Sequence, residues 1–199
     1  MKKWKSIFGA TLLSLALLGC AKTNQPSSPE EAKNAQTVTI GYTQFPINID
    51  PADEYNGWFT IRYGVGETLF KMNDQLEPEP WLAEKMEQTS QLEWKITLRN
   101  DVTFQNGEKM TGAKVEASLK RLIEKSKRAA DDLGIESIHS DGQTVTIKTK
   151  LEQPIMKNLL AEPYSVIVDV NGKAASDKSP VGTGPFLIKT YTPETRSEE

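Results

Sequence analysis

Residues 94–108 read Trp94-Lys95-Ile96-Thr97-Leu98-Arg99-Asn100-Asp101-Val102-Thr103-Phe104-Gln105-Asn106-Gly107-Glu108. The first part alternates, with Trp94, Ile96 and Leu98 on one side and polar side chains on the other, which is the period-two pattern of a strand with one buried face. Val102 to Phe104 repeats it briefly, and Asn106-Gly107 turns the chain, so the stretch predicts a hairpin. Just beyond, Thr111 is placed to cap a helix whose apolar residues Val115, Leu119, Leu122 and Ile123 fall on one face, with Lys and Arg covering the other. Strand, turn and amphipathic helix in direct succession predict a sheet covered by a helix, and therefore a mixed α and β domain.

The flanks extend this pattern. Upstream, Thr37 to Tyr42 alternates Val38, Ile40 and Tyr42 as a strand, and Phe45 to Asp53, with two prolines, reads as loop. Gly57 to Phe70 predicts a helix with Trp58, Ile61, Val65 and Leu69 on one side, interrupted by Gly64 and Gly66. Pro80 to Met86 reads as a short helix with proline in its first turn. Downstream, Ile135 to Ile138 and Val145 to Leu151, joined through Asp141-Gly142, predict a second hairpin. Pro154 to Leu160 reads as a short helix, and Ser165 to Val170 and Phe186 to Tyr191 as strands. No internal repeat is visible.

Composition narrows the chemistry. The 199 residues carry 24 Lys+Arg against 27 Asp+Glu, a net charge of -3, with a single Cys and a single His. A zinc cluster, a disulfide framework and a Cys/His catalytic pair therefore lack raw material, and no resident metal or cofactor is expected. The mildly acidic balance gives no reason to expect a nucleic-acid partner. No nucleophile elbow, HExxH or paired-carboxylate motif is present, so the chain is not read as an enzyme. Gly64-Val65-Gly66 lacks the third glycine of a dinucleotide loop, and no Lys-Ser/Thr follows Gly184 to make a phosphate loop.

The ends of the chain have their own signals. Lys2, Lys3 and Lys5 precede a short apolar run from Ile7 to Leu18, too short for an ordinary transmembrane helix, and Leu17-Leu18-Gly19-Cys20 closes it. Residues 1–19 resemble a bacterial lipoprotein signal peptide, which implies cleavage after Gly19 and acylation (palmitate) at Cys20. The chain from Cys20 onward would carry 21 bases against 27 acids, so lipid rather than a polybasic patch would hold it at the membrane. Residues 20–36, without an aromatic or branched aliphatic side chain and with two prolines, predict a flexible tether. Residues 37–199 are expected to form a folded, partial domain.

Within that domain five pieces occur in a familiar order. They are Gly66-Glu67-Thr68-Leu69-Phe70; Glu77-Pro78-Glu79-Pro80-Trp81-Leu82-Ala83-Glu84-Lys85; the 94–108 segment; the helix from Thr111 to Arg121; and Pro180-Val181-Gly182-Thr183-Gly184-Pro185-Phe186. Together they resemble the extracytoplasmic solute-binding protein family 5, the peptide- and nickel-binding receptors of ABC importers. The resemblance runs from about Val38 to Tyr191. It implies an α/β fold of the periplasmic-binding-protein type II, in which two lobes close on a ligand, with the first lobe built around a mixed sheet by the segment seen here. Family members are more than twice as long, so the second lobe is expected to be missing from this chain. The glycines of the last piece are read as permitting backbone angles closed to other residues.

The resemblance also implies site residues. Aromatic side chains near the first strand and helix line the family's cleft, which points to Tyr55, Trp58 and Phe59, although Trp58 also sits at a core-like spacing with Ile61 and Val65. An arginine just beyond the long helix pairs with ligand carboxylates in nickel-binding members, and Arg128, in Lys125-Ser126-Lys127-Arg128, holds that place. A run of bases at a helix end also serves as a solvated, dipole-favoured cap. Where those members have a second arginine, this chain has Glu162, of opposite charge, which suits an amine-bearing ligand equally well. His139, leading into Ser140-Asp141-Gly142, reads as exposed turn rather than as a metal ligand. The resemblance thus implies a lipid-anchored receptor on the extracytoplasmic face of the cell membrane, handing a peptide or nickel chelate to an ABC permease. The alternative is a truncated, non-functional remnant or a surface interaction lipoprotein with no transport role.

Overall fold

The computed structural model describes residues 38–43, 46–170 and 179–192. The signal-like segment, Cys20 and the tether lie outside them. Two units separate between Gly41 and Tyr42, and of the first only Val38–Gly41 are described, all exposed.

From Tyr42 onward the elements are α1 (Asn56–Arg62), β1 (Phe70–Met72), β2 (Pro78–Pro80), β3 (Ala83–Ser90), β4 (Glu93–Leu98), α2 (Gly112–Lys125), α3 (Lys127–Leu133), β5 (Ile135–Asp141), β6 (Thr144–Thr149), α4 (Met156–Leu159) and a 3₁₀ turn (Pro163–Ser165). The mixed α/β expectation holds. The main sheet has the order β3-β4-β6-β5, every neighbouring pair antiparallel, and β1 and β2 form a separate small ribbon.

The alternation read in 94–98 is the reason for this sheet. Trp94 faces Ile147 and Ile96 faces Val145 across the ladder, and Ile138 faces Ile147 on the far side. All five are buried, together with Leu98, and α2 covers them with Val115, Leu119 and Leu122. Burying such side chains is worth roughly 1.5–3 kcal/mol each before entropy is charged, so this face is a large contributor to stability. Thr111 caps α2 as its sequence predicts, its Oγ1 accepting the Lys114 N–H at 3.4 Å. The β5–β6 hairpin turns at Gly142, where φ is +56°.

Several local readings fail, each for a tertiary reason. Pro80 to Met86 is not helix: the N–H groups of Trp81 and Ala83 donate to Leu69 O, that of Leu82 donates to Thr68 O, and the chain runs on as β3 beside β4. A partner strand overrides the good helix formers there. The helix begun at Asn56 stops at Arg62 because Gly64 takes φ +64°. Val102 to Phe104 makes a single bridge, Thr103 to Lys109, around the Asn106-Gly107 turn rather than a strand of the sheet. Val38–Tyr42, Val166–Val170 and Phe186–Tyr191 join no ladder among the described residues.

The 182–186 turn is also held for a different reason than expected. A Cβ on Gly182 would lie 2.1 Å from Val65 O, and one on Gly184 2.2 Å from Gly64 O, so both glycines permit backbone to pack on backbone; neither has a positive φ. Gln105 fastens this contact, its Nε2 lying 2.9 Å from Val65 O, 3.0 Å from Gly184 O and 2.5 Å from Phe186 O.

Candidate functional site

The loop that enters α1 is folded by its own side chains. Asn48 Oδ1 accepts the Asp50 N–H at 3.0 Å and the Asn56 amide at 2.8 Å, while Asn48 Nδ2 donates to Asp53 at 2.7 Å. Asp50, 1 % exposed, ties the loop to α2. Its carboxylate accepts both terminal nitrogens of Arg121, at 2.9 and 2.5 Å, together with Lys125 Nζ and the Ala52 N–H at 3.1 Å. Burial alone would raise the Asp50 carboxyl, but these donors outweigh it and hold the group below the ordinary carboxylate range.

The other wall comes from a break in the helix. Ser126 ends α2 and caps α3, its Oγ accepting the Ala129 N–H at 3.3 Å, so the chain changes direction and presents Arg128 on the first turn of α3. Asp53–Tyr55 on one side and Lys125–Arg128 on the other line an open hollow of about 360 Å³. A third element closes on the same place. Gly57 lets α1 lie directly on the 3₁₀ turn, since a Cβ there would sit 2.0 Å from Pro163 O, and this contact brings Tyr164 beneath Arg128.

Arg128 is the centre of the arrangement. Its guanidinium carbon lies 5.6 Å from the Tyr55 ring centre and 5.2 Å from that of Tyr164, within cation–π range of both. Nε is 3.5 Å from Asp132 and Nη2 is 4.0 Å from Glu162, distances beyond a proper hydrogen bond. The group is half-exposed and donates no hydrogen bond to any described residue. The guanidinium thus lies against two aromatic rings and meets Asp132 and Glu162 only at ion-pair distance. Tyr164 is 5 % exposed; burial first, and then the carboxylates of Asp132 and Glu162, push its hydroxyl up.

Three sequence-derived candidates, Tyr55, Arg128 and Glu162, therefore meet in space. Trp58 and Phe59 do not join them. Trp58 is 46 % exposed under Arg62, 5.7 Å from its ring centre, and so is not a core residue. Phe59 turns toward Tyr63, which in turn meets Tyr42, at ring separations of 6.0 and 5.5 Å. His139 is exposed, as expected, but on β5 opposite Thr146 rather than in the turn. Tyr164 escaped the sequence reading; an aromatic residue two positions after Glu162 was its only signal. Among the described residues no group of three or more His, Cys, Asp or Glu side chains is gathered to hold a metal ion, and no helix is long and apolar enough to cross a membrane.

The profile of the bacterial extracellular solute-binding proteins, family 5 Middle, matches residues 77–198. The chain belongs to this family. It is 33% identical over 190 residues to the nickel-binding protein NikA of Staphylococcus aureus, a match covering 96% of this chain and 36% of that protein. Against the dipeptide-binding protein DppE of Bacillus subtilis identity is 25% over 229 residues, covering 96% of this chain and 42% of the relative. The crystal structure of NikA from Staphylococcus aureus in complex with Ni(L-His)2 superimposes with a TM-score of 0.71 at 36% identity, over 74% of this chain and 31% of that one. The chain thus spans well under half the length of these relatives. Family members are substrate-binding proteins rather than enzymes.

Proposed function

We propose that this chain is part of the substrate-binding lipoprotein of an ABC importer, with residues 1–19 as signal peptide, Cys20 as the acylated anchor, 20–36 as tether and 37–199 as binding domain. It captures a nickel/small-molecule chelate or a short peptide on the extracytoplasmic face and delivers it to a membrane permease, with no catalytic step. The observation that carries the reading is the Arg128 guanidinium, half-exposed between Tyr55 and Tyr164, with no hydrogen bond to a described residue. A ligand carboxylate would take its terminal nitrogens, Tyr55 and Tyr164 would give it rigid apolar faces, and Glu162 would meet its amine. Trp58 and Phe59, adjacent residues of α1 that stand apart from the Arg128 group, would contact a more distant part of the ligand. Both ligand classes carry carboxylates, and the relatives include a nickel-binding and a dipeptide-binding protein.

The test is ligand titration of the full chain by thermal shift and NMR, with nickel–histidine and a dipeptide panel, in wild type and Arg128→Met. Binding that weakens at least about tenfold in the variant supports the reading. No response to either class, or an unchanged response in Arg128→Met, overturns it. Metabolic labelling with palmitate, lost in Cys20→Ala, checks the anchor.

A further inference from the structure

The turn that closes the Thr103–Lys109 bridge carries chemistry that ligand binding does not use. Of the three Asn-Gly pairs in the sequence, Asn56-Gly57 opens α1 and Asn171-Gly172 lies outside the described residues. Asn106-Gly107 forms an exposed turn, with Gly107 at φ +83° and open space where its Cβ would be. We infer that Asn106 is a latent deamidation site, held unreactive by the buried carboxylate of Asp169 and freed to react when the segment carrying Asp169 lifts away from α2.

The reaction needs only water. The Gly107 backbone nitrogen gives its proton to solvent base and bonds to Asn106 Cγ. The Cγ–Nδ2 bond breaks, and the nitrogen takes a proton from water and leaves as ammonia, closing a cyclic imide. Water then opens the ring. Cleavage between the Gly107 nitrogen and Cγ gives an aspartyl residue, and cleavage between that nitrogen and the backbone carbonyl carbon gives the isoaspartyl linkage. Nothing is oxidised or reduced. A glycine after the asparagine suits the first step, because no side chain shields its nitrogen or restricts its approach.

In the folded chain every group the reaction needs is engaged. The Gly107 N–H donates to Phe104 O at 2.8 Å, so the nucleophile is committed to the turn. Asn106 Oδ1 accepts the Glu108 N–H at 3.0 Å, and Nδ2 donates to Asp169 Oδ2 at 2.8 Å. A carboxylate accepting from the amide N–H strengthens the amide's charge-separated form, which makes Cγ a poorer electrophile and fixes it in place. Asp169 is held for this role. It is 1 % exposed, Lys114 Nζ lies 2.8 Å from the same oxygen, and its own N–H donates to Val181 O at 2.9 Å. The Val168 N–H donates to Ser118 Oγ at 3.0 Å, so Asp169 reaches Asn106 only while this segment is seated on α2.

The product does not go back. An acid at position 106 has no N–H for Asp169 and sets a second carboxylate against it, where like charges repel. Gln105, one residue earlier, fastens the carbonyls of Val65, Gly184 and Phe186, so the disturbance reaches the 182–186 turn. A transient opening is thereby turned into a permanent change.

The test holds the full chain at mildly alkaline pH and follows position 106 by peptide mapping that separates aspartyl from isoaspartyl forms, with exchange of the Gly107 amide measured in parallel. Wild type is compared without urea, in urea below its transition, and unfolded, and then with Asp169→Ala. We expect unfolded wild type to convert at least about tenfold faster than folded, and folded Asp169→Ala at least about fivefold faster than folded wild type. Below the transition the wild-type rate should rise in step with Gly107 exchange, as it must when reaction passes through an open state. Asn106→Asp should show faster exchange in 182–186. Folded wild type converting as fast as unfolded, no conversion even when unfolded, or Asp169→Ala with a native amide spectrum converting at the wild-type rate overturns the inference. If Asp169→Ala does not fold, the urea series decides, and a rate that stays flat while Gly107 exchange rises overturns it.

Discussion

Replacing Asp50 by Asn tests whether the site is held in place by one buried carboxylate. Asp50 is 1 % exposed and takes two bonds from Arg121, one from Lys125 and one from the Ala52 N–H. Asn keeps the shape but loses the charge, and one of its two polar atoms becomes a donor facing cations. Breaking a buried ion pair costs about 3–5 kcal/mol when the partner is left uncompensated. The partner side chains here are 28% and 40% exposed, so water takes over part of their solvation, and we expect about 2–3 kcal/mol. For a domain of this size that is a fall in Tm of roughly 5–10 °C. The assay is urea unfolding of Asp50→Asn, Arg121→Met and the double variant. A coupling energy of about 1.5–3 kcal/mol with an unchanged m-value is expected. Because Asp50 also fixes the loop that carries Tyr55, the single variant should weaken binding of any Arg128-dependent ligand. Stability within about 0.5 kcal/mol of wild type, or strictly additive effects, would refute the claim that this carboxylate pins the loop to α2.

Three further outcomes follow from the same contacts. The Asp50 carboxyl is lower in the folded chain than its ordinary value of 3.8, so its contribution is complete above that pH and is lost as pH falls through the lower folded value; acid titration of wild type should show an unfolding step there that is absent in Asp50→Asn. Gly57→Ala places a methyl 2.0 Å from Pro163 O, a backbone atom that cannot swing aside, and should cost more than about 2 kcal/mol in chemical denaturation while disturbing the Tyr164 ring signals. Gln105→Ala leaves the carbonyls of Val65, Gly184 and Phe186 without their shared donor; we expect a loss of about 1–3 kcal/mol, and faster hydrogen exchange in 182–186 than in β4 or β6.

What was legible in the sequence was whatever is decided locally. Trp94, Ile96 and Leu98 alternate, so β4 could be read directly. Thr111 and the spacing of Val115, Leu119 and Leu122 gave α2 with its cap, and Asp141-Gly142 gave the turn between β5 and β6. What failed depended on partners distant in sequence. Glu84, Lys85 and Met86 favour helix on their own, and only β4 alongside makes them strand; β1 and β2, three residues each, are too short to leave a period. Val38–Tyr42 alternates and Phe186–Tyr191 opens with three apolar residues, yet such patterns state only that a strand could form, and a ladder needs a neighbour that the described residues do not supply. Gly182 and Gly184 show the same limit on a smaller scale. Sequence marks them as glycine, but whether glycine serves a backbone angle or a close approach depends on Val65 and Gly64, more than a hundred positions away.

The site was half legible for a related reason. Arg128 and Glu162 stood out because the family resemblance marks their places after the long helix and after the short helix, and Tyr55 because the resemblance puts aromatic side chains where the loop enters α1. Tyr164 did not, since a tyrosine is equally at home in a core, and its role comes only from the turn that slides under α3. That turn is in place because Gly57 carries no side chain, and α3 points where it does because Ser126 breaks the helix and recaps it. A glycine and a serine thus fix the 5.2 Å and 5.6 Å distances at which Arg128 meets Tyr164 and Tyr55. Substitutions at Gly57 or Ser126 should therefore weaken ligand binding more than substitutions at Trp58, which is larger and more exposed but has no part in setting where the guanidinium stands.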